Sequence, residues 1–469
     1  MQIKFDTKVQ YIKYKVLSEV ARHAYKGDLN ENLLNIPKVI SPGPGSSLRC
    51  CVYKERAIVS ERLILATEGV SKDKNIISVI NIACDECPAE GYRVTDDCRG
   101  CLAHRCKRVC MKDAISFGED LKARIDKSKC VNCGMCAKAC PYSAIQNRVR
   151  PCISACKPHA ITTNEDGSAH INDEKCITCG ACVYQCPFGA ISDRSSIVQI
   201  IDSLKDTSKH VYAIVAPAIA SQFDEVKVGQ VVTGIKKLGF YQVVEAALGA
   251  DMVAYSEAQE LVEKGSLTSS CCPAFVRFIK LKFPELAEKI SHNKSPMVTL
   301  GKYLKSIDEN AVVVFIGPCT AKKREALEDE SRTIDYVITF EELQAVFNGY
   351  EVDVSSLEET ELDNASYFGR IFARIGGLSE ALVQSLKEQN LEFEVKPCIC
   401  EGIDNIKMAL NKLKRGTADF NFLEGMACLG GCIGGPCNIT HQIRDKLDID
   451  RFGKTSKEEG ILSSLKKVK

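Results

Sequence analysis

The sequence predicts an α/β protein in which parallel sheets flanked by helices follow a smaller, cysteine-rich α+β module. Three observations carry that prediction. Residues 205–469 alternate strand-like apolar runs with amphipathic stretches of helical period. Runs such as HVYAIVAPA and AVVVFIGPCTAKKREAL pass from a buried strand straight into a turn or helix start, as βα units of a parallel sheet do. The chain also holds 26 cysteines, mostly in short metal-like spacings, and sixteen of them lie within residues 81–195.

At 469 residues the chain is too long for one compact core. Composition divides it into an N-terminal segment of no evident role (1–80, with the turn-like SPGPGSS), a cysteine-rich domain (81–195) and a globular domain (205–469). Lys and Arg total 62 against 61 Asp and Glu, so the charge balance favours neither nucleic acid nor an anionic membrane. No apolar run approaches the roughly 20 residues of a spanning helix. The opening MQIKFDTKVQYIKYKVL lacks a signal-peptide core, so no membrane and a cytoplasmic location are expected. In a reducing compartment, dense cysteine spacing means metal or redox chemistry rather than disulfides.

Residues 81–195 contain an internal repeat, a cysteine followed shortly by Ala-Ile: CMKDAI, CPYSAI, CKPHAI and CPFGAI. CVNCGMCAKACP supplies Cys130, Cys133, Cys136 and Cys140; CITCGACVYQCP supplies Cys176, Cys179, Cys182 and Cys186. Each run resembles those of bacterial two-cluster ferredoxins, in which three cysteines hold one cubane and the fourth ligates the other cluster. Thiolates suit iron because both are soft, and glycines within the loop keep Cβ atoms clear. Structural zinc seldom uses such four-cysteine runs in duplicate. Two modules are less regular. Cys98, Cys101, Cys106 and Cys110 form one; the other has only Cys152 and Cys156, and Cys84 and Cys87 of ACDECP could complete it. The sixteen thiols suffice for four 4Fe-4S clusters, with two the minimum. His104 could replace a cysteine but reads more simply as surface, and Cys50 and Cys51 read as ordinary half-buried thiols without a role.

Three further cysteine loops follow: TSSCCPAF, GPCTAKKREA and LEGMACLGGCIGGPC. In order and spacing they resemble the signature segments of the iron-iron hydrogenases. The resemblance implies a two-lobed catalytic domain of parallel sheets. Between the lobes it implies an H-cluster, a 4Fe-4S cubane joined to a di-iron subsite with CO, cyanide and azadithiolate. It implies Cys272, Cys319, Cys428 and Cys432 as cubane ligands, Cys432 bridging to the di-iron unit. Cys271 would pass protons, with Glu257, Ser291 and Glu260 completing the relay. Lys322 would hold a cyanide, and Met426, Met297 and the strand-end Ala216, Pro217 and Ala218 would line the subsite. Apart from the resemblance, two glutamates three apart on a helix describe a solvated face.

The chain departs from the usual pattern. It has Phe275 for a Trp, Gly317 for a pocket methionine, Met297 for a glutamine, Ala220 for an arginine, Leu429 for a proline, and GGPCN for a glycine stretch. These departures resemble the clostridial group B branch. The implied activity is reversible reduction of protons to H2, with a ferredoxin-like electron carrier and maturation proteins as partners. Two alternatives stand beside it, an H2 or redox sensor and a non-catalytic iron-sulfur protein. Sensors typically carry an added domain and an altered first loop; non-catalytic relatives typically lose the proton-transfer cysteine. Cys398 and Cys400 of KPCICEG are expected at a strand end as structural thiols.

Overall fold

The computed structural model describes residues 4–467 apart from 47, 72–74, 89 and 224, so the first three residues of the N-terminal segment and Ser47 of SPGPGSS lie outside the described residues. The globular domain is built on seven parallel strands: β1 (His210–Val215), β2 (Gln242–Glu245), β3 (Leu267–Thr268), β4 (Ala311–Gly317), β5 (Tyr336–Thr339), β6 (Pro397–Glu401) and β7 (Phe422–Met426). One sheet has the order β2-β1-β4-β5 and the other β3-β7-β6. Val211 to Val215 and Val313 to Ile316 are buried throughout, as central parallel strands covered on both faces must be, so they read as unbroken apolar runs.

Six helices bear on the site: α1 (Lys8–Lys26), α2 (Val52–Thr67), α3 (Ala246–Lys264), α4 (Pro273–Lys282), α5 (Thr320–Glu328) and α6 (Phe340–Gly349). The N-terminal segment is not a separate body. Thr7 and Gln10 form a capping box that starts α1. Its Val16, Leu17 and Val20 enter the same core as β1, β4 and Phe340 of α6.

The cysteine-rich domain is one ferredoxin-like unit inserted into another. Strand Gly91–Val94 pairs with Ile145–Arg148, and between them lies the hairpin Ile115–Phe117/Ala123–Ile125. Around this inner unit, Ile77–Val79 pairs with Ile191–Asp193, with a second hairpin, Ile161–Thr163/Ala169–Ile171. The interruption accounts for the irregular repeat, because the outer unit's first two cysteines precede the insertion and the rest follow it. The outer unit therefore begins before residue 81, at Ile77. The Ala-Ile repeat also has a structural reason. Each Ile opens a strand, and Ala114, Ala160 and Ala190 donate backbone N–H groups to Cys110, Cys156 and Cys186 Sγ at 3.4, 3.2 and 3.2 Å.

A buried ion network joins the parts. Asp193, closing the outer unit, accepts from Lys13 of α1 at 2.6 Å and Lys323 of α5 at 2.7 Å. Lys323 also meets Glu342 of α6 at 3.0 Å, and Lys13 meets Glu341 at 2.8 Å. Burial opposes the Asp193 charge, but the two lysines outweigh it and hold the carboxyl well below its ordinary 3.8. Burial likewise opposes the Lys13 charge, and Asp193 and Glu341 hold that ammonium above its ordinary 10.5. The depressed acid contributes stability above pH 3.8 that is lost as pH falls through its folded value. The raised lysine contributes stability below pH 10.5 that is lost as pH rises. Asp193→Ala takes one of two carboxylate partners from each of two buried lysines and is expected to cost about 3–5 kcal/mol. Anaerobic urea unfolding of the cluster-loaded protein checks this, and an unchanged midpoint would contradict it.

Candidate functional site

The site lies where strands of both sheets end. Two loops leave the β3-β7-β6 sheet: β3 runs into Cys271 and Cys272, and β7 into Cys428 and Cys432; β4 of the other sheet runs into Cys319. Cys428 is close enough to Cys319, Cys272 and Cys432 to feel their charges, and Cys319 feels Cys272 and Cys432. Burial, then these neighbours, push the Cys319 thiol up to about 12, and burial and Cys272 push Cys432 to about 11. Thiols this crowded ionise together only around strong positive charge, which iron supplies. Helices α4 and α5 begin directly after Cys272 and Cys319 and bring their positive ends to this point.

Among the described residues no three His, Cys, Asp or Glu side chains converge closely enough for a single ion. A cubane carries its ligands on outer corners and needs them farther apart. The inner ferredoxin-like unit illustrates the fit: Cys110, Cys130, Cys133 and Cys136 line one cavity of about 70 Å³.

Four such sets arise in the cysteine-rich domain. Cys106 lies by Cys101 and Cys140, with Cys98 packed against the same hydrophobic cluster; Cys136 lies by Cys130 and Cys110. Cys152 lies by Cys186, Cys84 and Cys87; Cys182 lies by Cys179, Cys176 and Cys156. Both units thus group three cysteines with one from elsewhere in the unit, the grouping that the two-cluster rule expects. Cys84 is further held by Ala169 N–H at 3.4 Å and Arg150 Nη1 at 3.8 Å. His104 stacks on Phe117 with ring centroids 3.8 Å apart and stands outside all four sets.

The Cys176–Cys182 loop docks on the site. Thr320 Oγ1 donates to Thr178 O at 2.7 Å, and Arg277 Nε to Cys176 O at 2.8 Å. Gly180 has φ +76°, and a Cβ there would lie 2.4 Å from Pro436 and 2.8 Å from Thr320 Oγ1, so only glycine permits both the turn and the close approach. Cys428 feels Cys179 as well as its own set, placing the fourth set directly beside the four-thiol site.

On the other side lies a graded row of ionisable groups. Glu260, near the surface of α3, accepts from Lys264 Nζ at 2.7 Å, Ser291 Oγ at 2.8 Å, Asn293 Nδ2 at 2.9 Å and His292 N–H at 3.0 Å. Burial would raise its carboxyl, but these donors outweigh that and hold it below the ordinary range. One turn along, Glu257 is 1% exposed with no hydrogen-bond partner for either oxygen. Burial pushes it up to about 8, with Ser291 opposing and the Glu260 and Glu424 charges adding. Cys271 follows, held well above the usual thiol range by burial, then by Cys272 and Glu257. The solvated-face reading of the pair holds for neither glutamate's full environment and fails outright for Glu257.

Lys322 is buried, with Nζ 2.7 Å from Glu325 Oε2 and 3.3 Å from Cys271 O. Burial works against its charge, and Glu325 more than compensates. Met426, Met297, Ala216 and Ala218 are buried, while Pro217 is half-buried. Gly317 does not simply enlarge the pocket, because a Cβ there would lie 2.6 Å from the Phe315 ring. Phe275 is fully buried with its ring over Gly425, where a Cβ would come within 2.5 Å.

Such a fold and site define an α/β iron-sulfur protein with a cysteine-rich relay. Residues 209–436 match the iron only hydrogenase large subunit, C-terminal domain, and residues 123–146 and 169–192 match the 4Fe-4S binding domain. Iron hydrogenase 1 of Clostridium pasteurianum is 30% identical over 318 residues, 55% of this chain and 55% of that one. A probable cytosolic Fe-S cluster assembly factor of Anopheles gambiae is 24% identical over 262 residues, 44% of this chain and 55% of the factor. The chain thus spans about half the length of these relatives. A solved FeFe-hydrogenase structure, HydA(deltaEFG), shares the fold at TM-score 0.51 and 22% identity, covering 58% of this chain and 93% of its own. Residues 209–436 thus belong to the iron-only hydrogenase family, and a ferredoxin-like iron-sulfur segment precedes them.

Sequence reasoning gave no role to Glu424, Glu325 or Arg150. Glu424 is fully buried in β7, accepting from Gly376 N, Ser379 N and Ser379 Oγ at 2.7, 2.9 and 2.6 Å. A charge inside the apolar run NFLEGM was the available signal. Cys50 and Cys51 are exposed rather than half-buried, and Cys51 caps α2. No described helix is long and apolar enough to cross a membrane. If Cys84 and Cys87 complete the outer unit, replacing both with Ala removes one cubane's iron and sulfide from the anaerobically loaded protein; unchanged iron would contradict the pairing.

Proposed function

We propose that this protein reversibly reduces protons to H2, 2H⁺ + 2e⁻ ⇌ H2, at an H-cluster held by Cys272, Cys319, Cys428 and Cys432. The observation that carries the reading is the conjunction at one point of a four-thiol site with a buried relay on one side and a cysteine set on the other. The H-cluster, when bound, supplies the redox centre at which protons and electrons combine. Cys272, Cys319, Cys428 and Cys432 would hold it, Cys432 on the di-iron side, and the buried Lys322 ammonium would hold a cyanide. Met426, Met297 and the Ala216–Ala218 strand end exclude water.

The chain's own residues handle the protons. Glu260 collects them at the surface and Ser291 passes them inward. Glu257 is neutral at pH 7 and can therefore donate, and Cys271 delivers to the site. Cys156, Cys176, Cys179 and Cys182 would hold the accessory 4Fe-4S cluster nearest the site, which would supply single electrons from a ferredoxin-like carrier. The di-iron subsite is installed by maturation proteins, and the reaction belongs in the cytoplasm.

The assembly-factor relative supplies a second reading, an iron-sulfur protein without turnover. A third, an H2 or redox sensor, keeps the cofactor with little turnover. The retained Cys271 and the buried, unpaired Glu257 favour the enzyme, because neither reading without turnover needs a proton path.

The test is H2 evolution from a reduced low-potential dye by the matured protein. Cys271→Ala and Glu257→Gln each lower the rate by about 100-fold or more while iron content stays at the parent level; parent-level rates would contradict the relay. Because Glu257 donates only while protonated, H2 evolution falls as pH rises through about 8. H2 uptake, which needs the carboxylate as acceptor, rises through the same range. Matched profiles in both directions would remove Glu257 from the path.

A further inference from the structure

Cys398 and Cys400 belong to none of the five cysteine sets. They alternate with Ile399 on β6, so both side chains leave the same face, and their Sγ atoms stand 3.7 Å apart. Cys398 is partly exposed and Cys400 is buried. They lie within β6 and near its carboxyl end, with Cys398 opposite Leu423 and Cys400 opposite Gly425 of β7. Strand residues two apart have Cα atoms about 6.6 Å apart. That is inside the span of about 4.4–6.8 Å that a disulfide bridges.

We propose that Cys398 and Cys400 form a two-electron dithiol–disulfide site that reacts with small disulfides. Cys398, the reachable thiol, loses its proton and attacks the exogenous disulfide, forming a mixed disulfide and releasing one thiol. Cys400 then loses its proton and attacks the Cys398 sulfur, closing the bridge and releasing the second thiol. Two electrons and two protons pass to the small disulfide, which becomes two thiols.

The pair is wired to the four-thiol site by two hydrogen bonds, one to a side chain and one within the backbone. Glu401, the next residue, accepts from Gly430 N at 2.7 Å, and Gly402 N donates to Met426 O at 2.8 Å. Closing the bridge brings the sulfurs from 3.7 Å to about 2.05 Å and shifts β6 beside Glu401. The Glu401–Gly430 bond carries that movement into the loop bearing Cys428 and Cys432. This proposal goes beyond hydrogen chemistry and does not depend on it.

The full-length, cluster-loaded protein is equilibrated anaerobically in buffers of stepped reduced-to-oxidised glutathione ratio, acid-quenched, alkylated and digested for mass spectrometry. At oxidising ratios the 398–400 peptide is expected to lose two hydrogens and both alkyl tags, and to regain them on reduction. Cys400→Ser is expected to stop at a glutathione adduct on Cys398, and Cys398→Ser to give neither product. Visible absorbance and iron content at the parent level verify that each variant is folded. Both thiols alkylated at every ratio would overturn the proposal. So would stoichiometric zinc in the purified protein that is lost in Cys398→Ser, which would make the pair a metal site.

Discussion

One buried carboxylate sets the geometry on which the rest depends. Asp193 ends the strand that closes the outer ferredoxin-like unit, only seven residues after Cys186, and its oxygens hold Lys13 and Lys323. Lys323 belongs to the helix that starts after Cys319, so the network ties the cysteine-rich domain to the four-thiol site through one short rigid element. Replacing such a buried triad by well-packed apolar residues is often neutral or stabilising. Its consequence here is positional. It fixes which face of the cysteine-rich domain meets the globular domain, and the Thr178–Thr320 and Gly180–Pro436 approaches depend on that orientation.

The same arrangement keeps the two deliveries apart. The Cys176–Cys182 loop reaches the site beside Cys428, against the starts of α4 and α5. The ionisable row reaches it from α3, through Glu257 to Cys271. Along that row the carboxyl affinity for a proton rises inward, from Glu260 below its ordinary range to Glu257 near 8, because solvent and donors thin out while burial grows. Backbone N–H groups from the Ala-Ile repeat bond to cluster-set sulfurs and stabilise negative charge there, a lever on cluster potential.

Much of this was legible because strict chemistry leaves strict spacing. The four-cysteine runs, the strand-to-loop transitions at Cys319 and Cys428, and the parallel-sheet class follow from local pattern. Topology was not local. Nothing near Cys84 or Cys152 states that a whole unit lies between them, and the pairing of Ile77–Val79 with Ile191–Asp193 spans over a hundred residues. Burial of Glu257 was equally hidden, since α3 carries buried residues on more than one face and has no clean amphipathic stripe to separate Glu257 from Glu260. Residues 1–80 read as unremarkable because α1 shares its core with a partner more than three hundred residues away. Phe275 and Gly317 depart from the usual pattern in side-chain size, yet both spaces are filled by packing, Phe275 over Gly425 and Phe315 against Gly317.

The central claim is that Cys272, Cys319, Cys428 and Cys432 hold an H-cluster. Infrared spectroscopy of the anaerobically matured protein addresses it most directly, since CO and cyanide bound to iron absorb where protein does not. The account predicts sharp CO and cyanide bands that disappear in Cys432→Ser while the accessory clusters remain. A competently matured protein without those bands would contradict it, leaving an iron-sulfur protein with a hydrogenase fold.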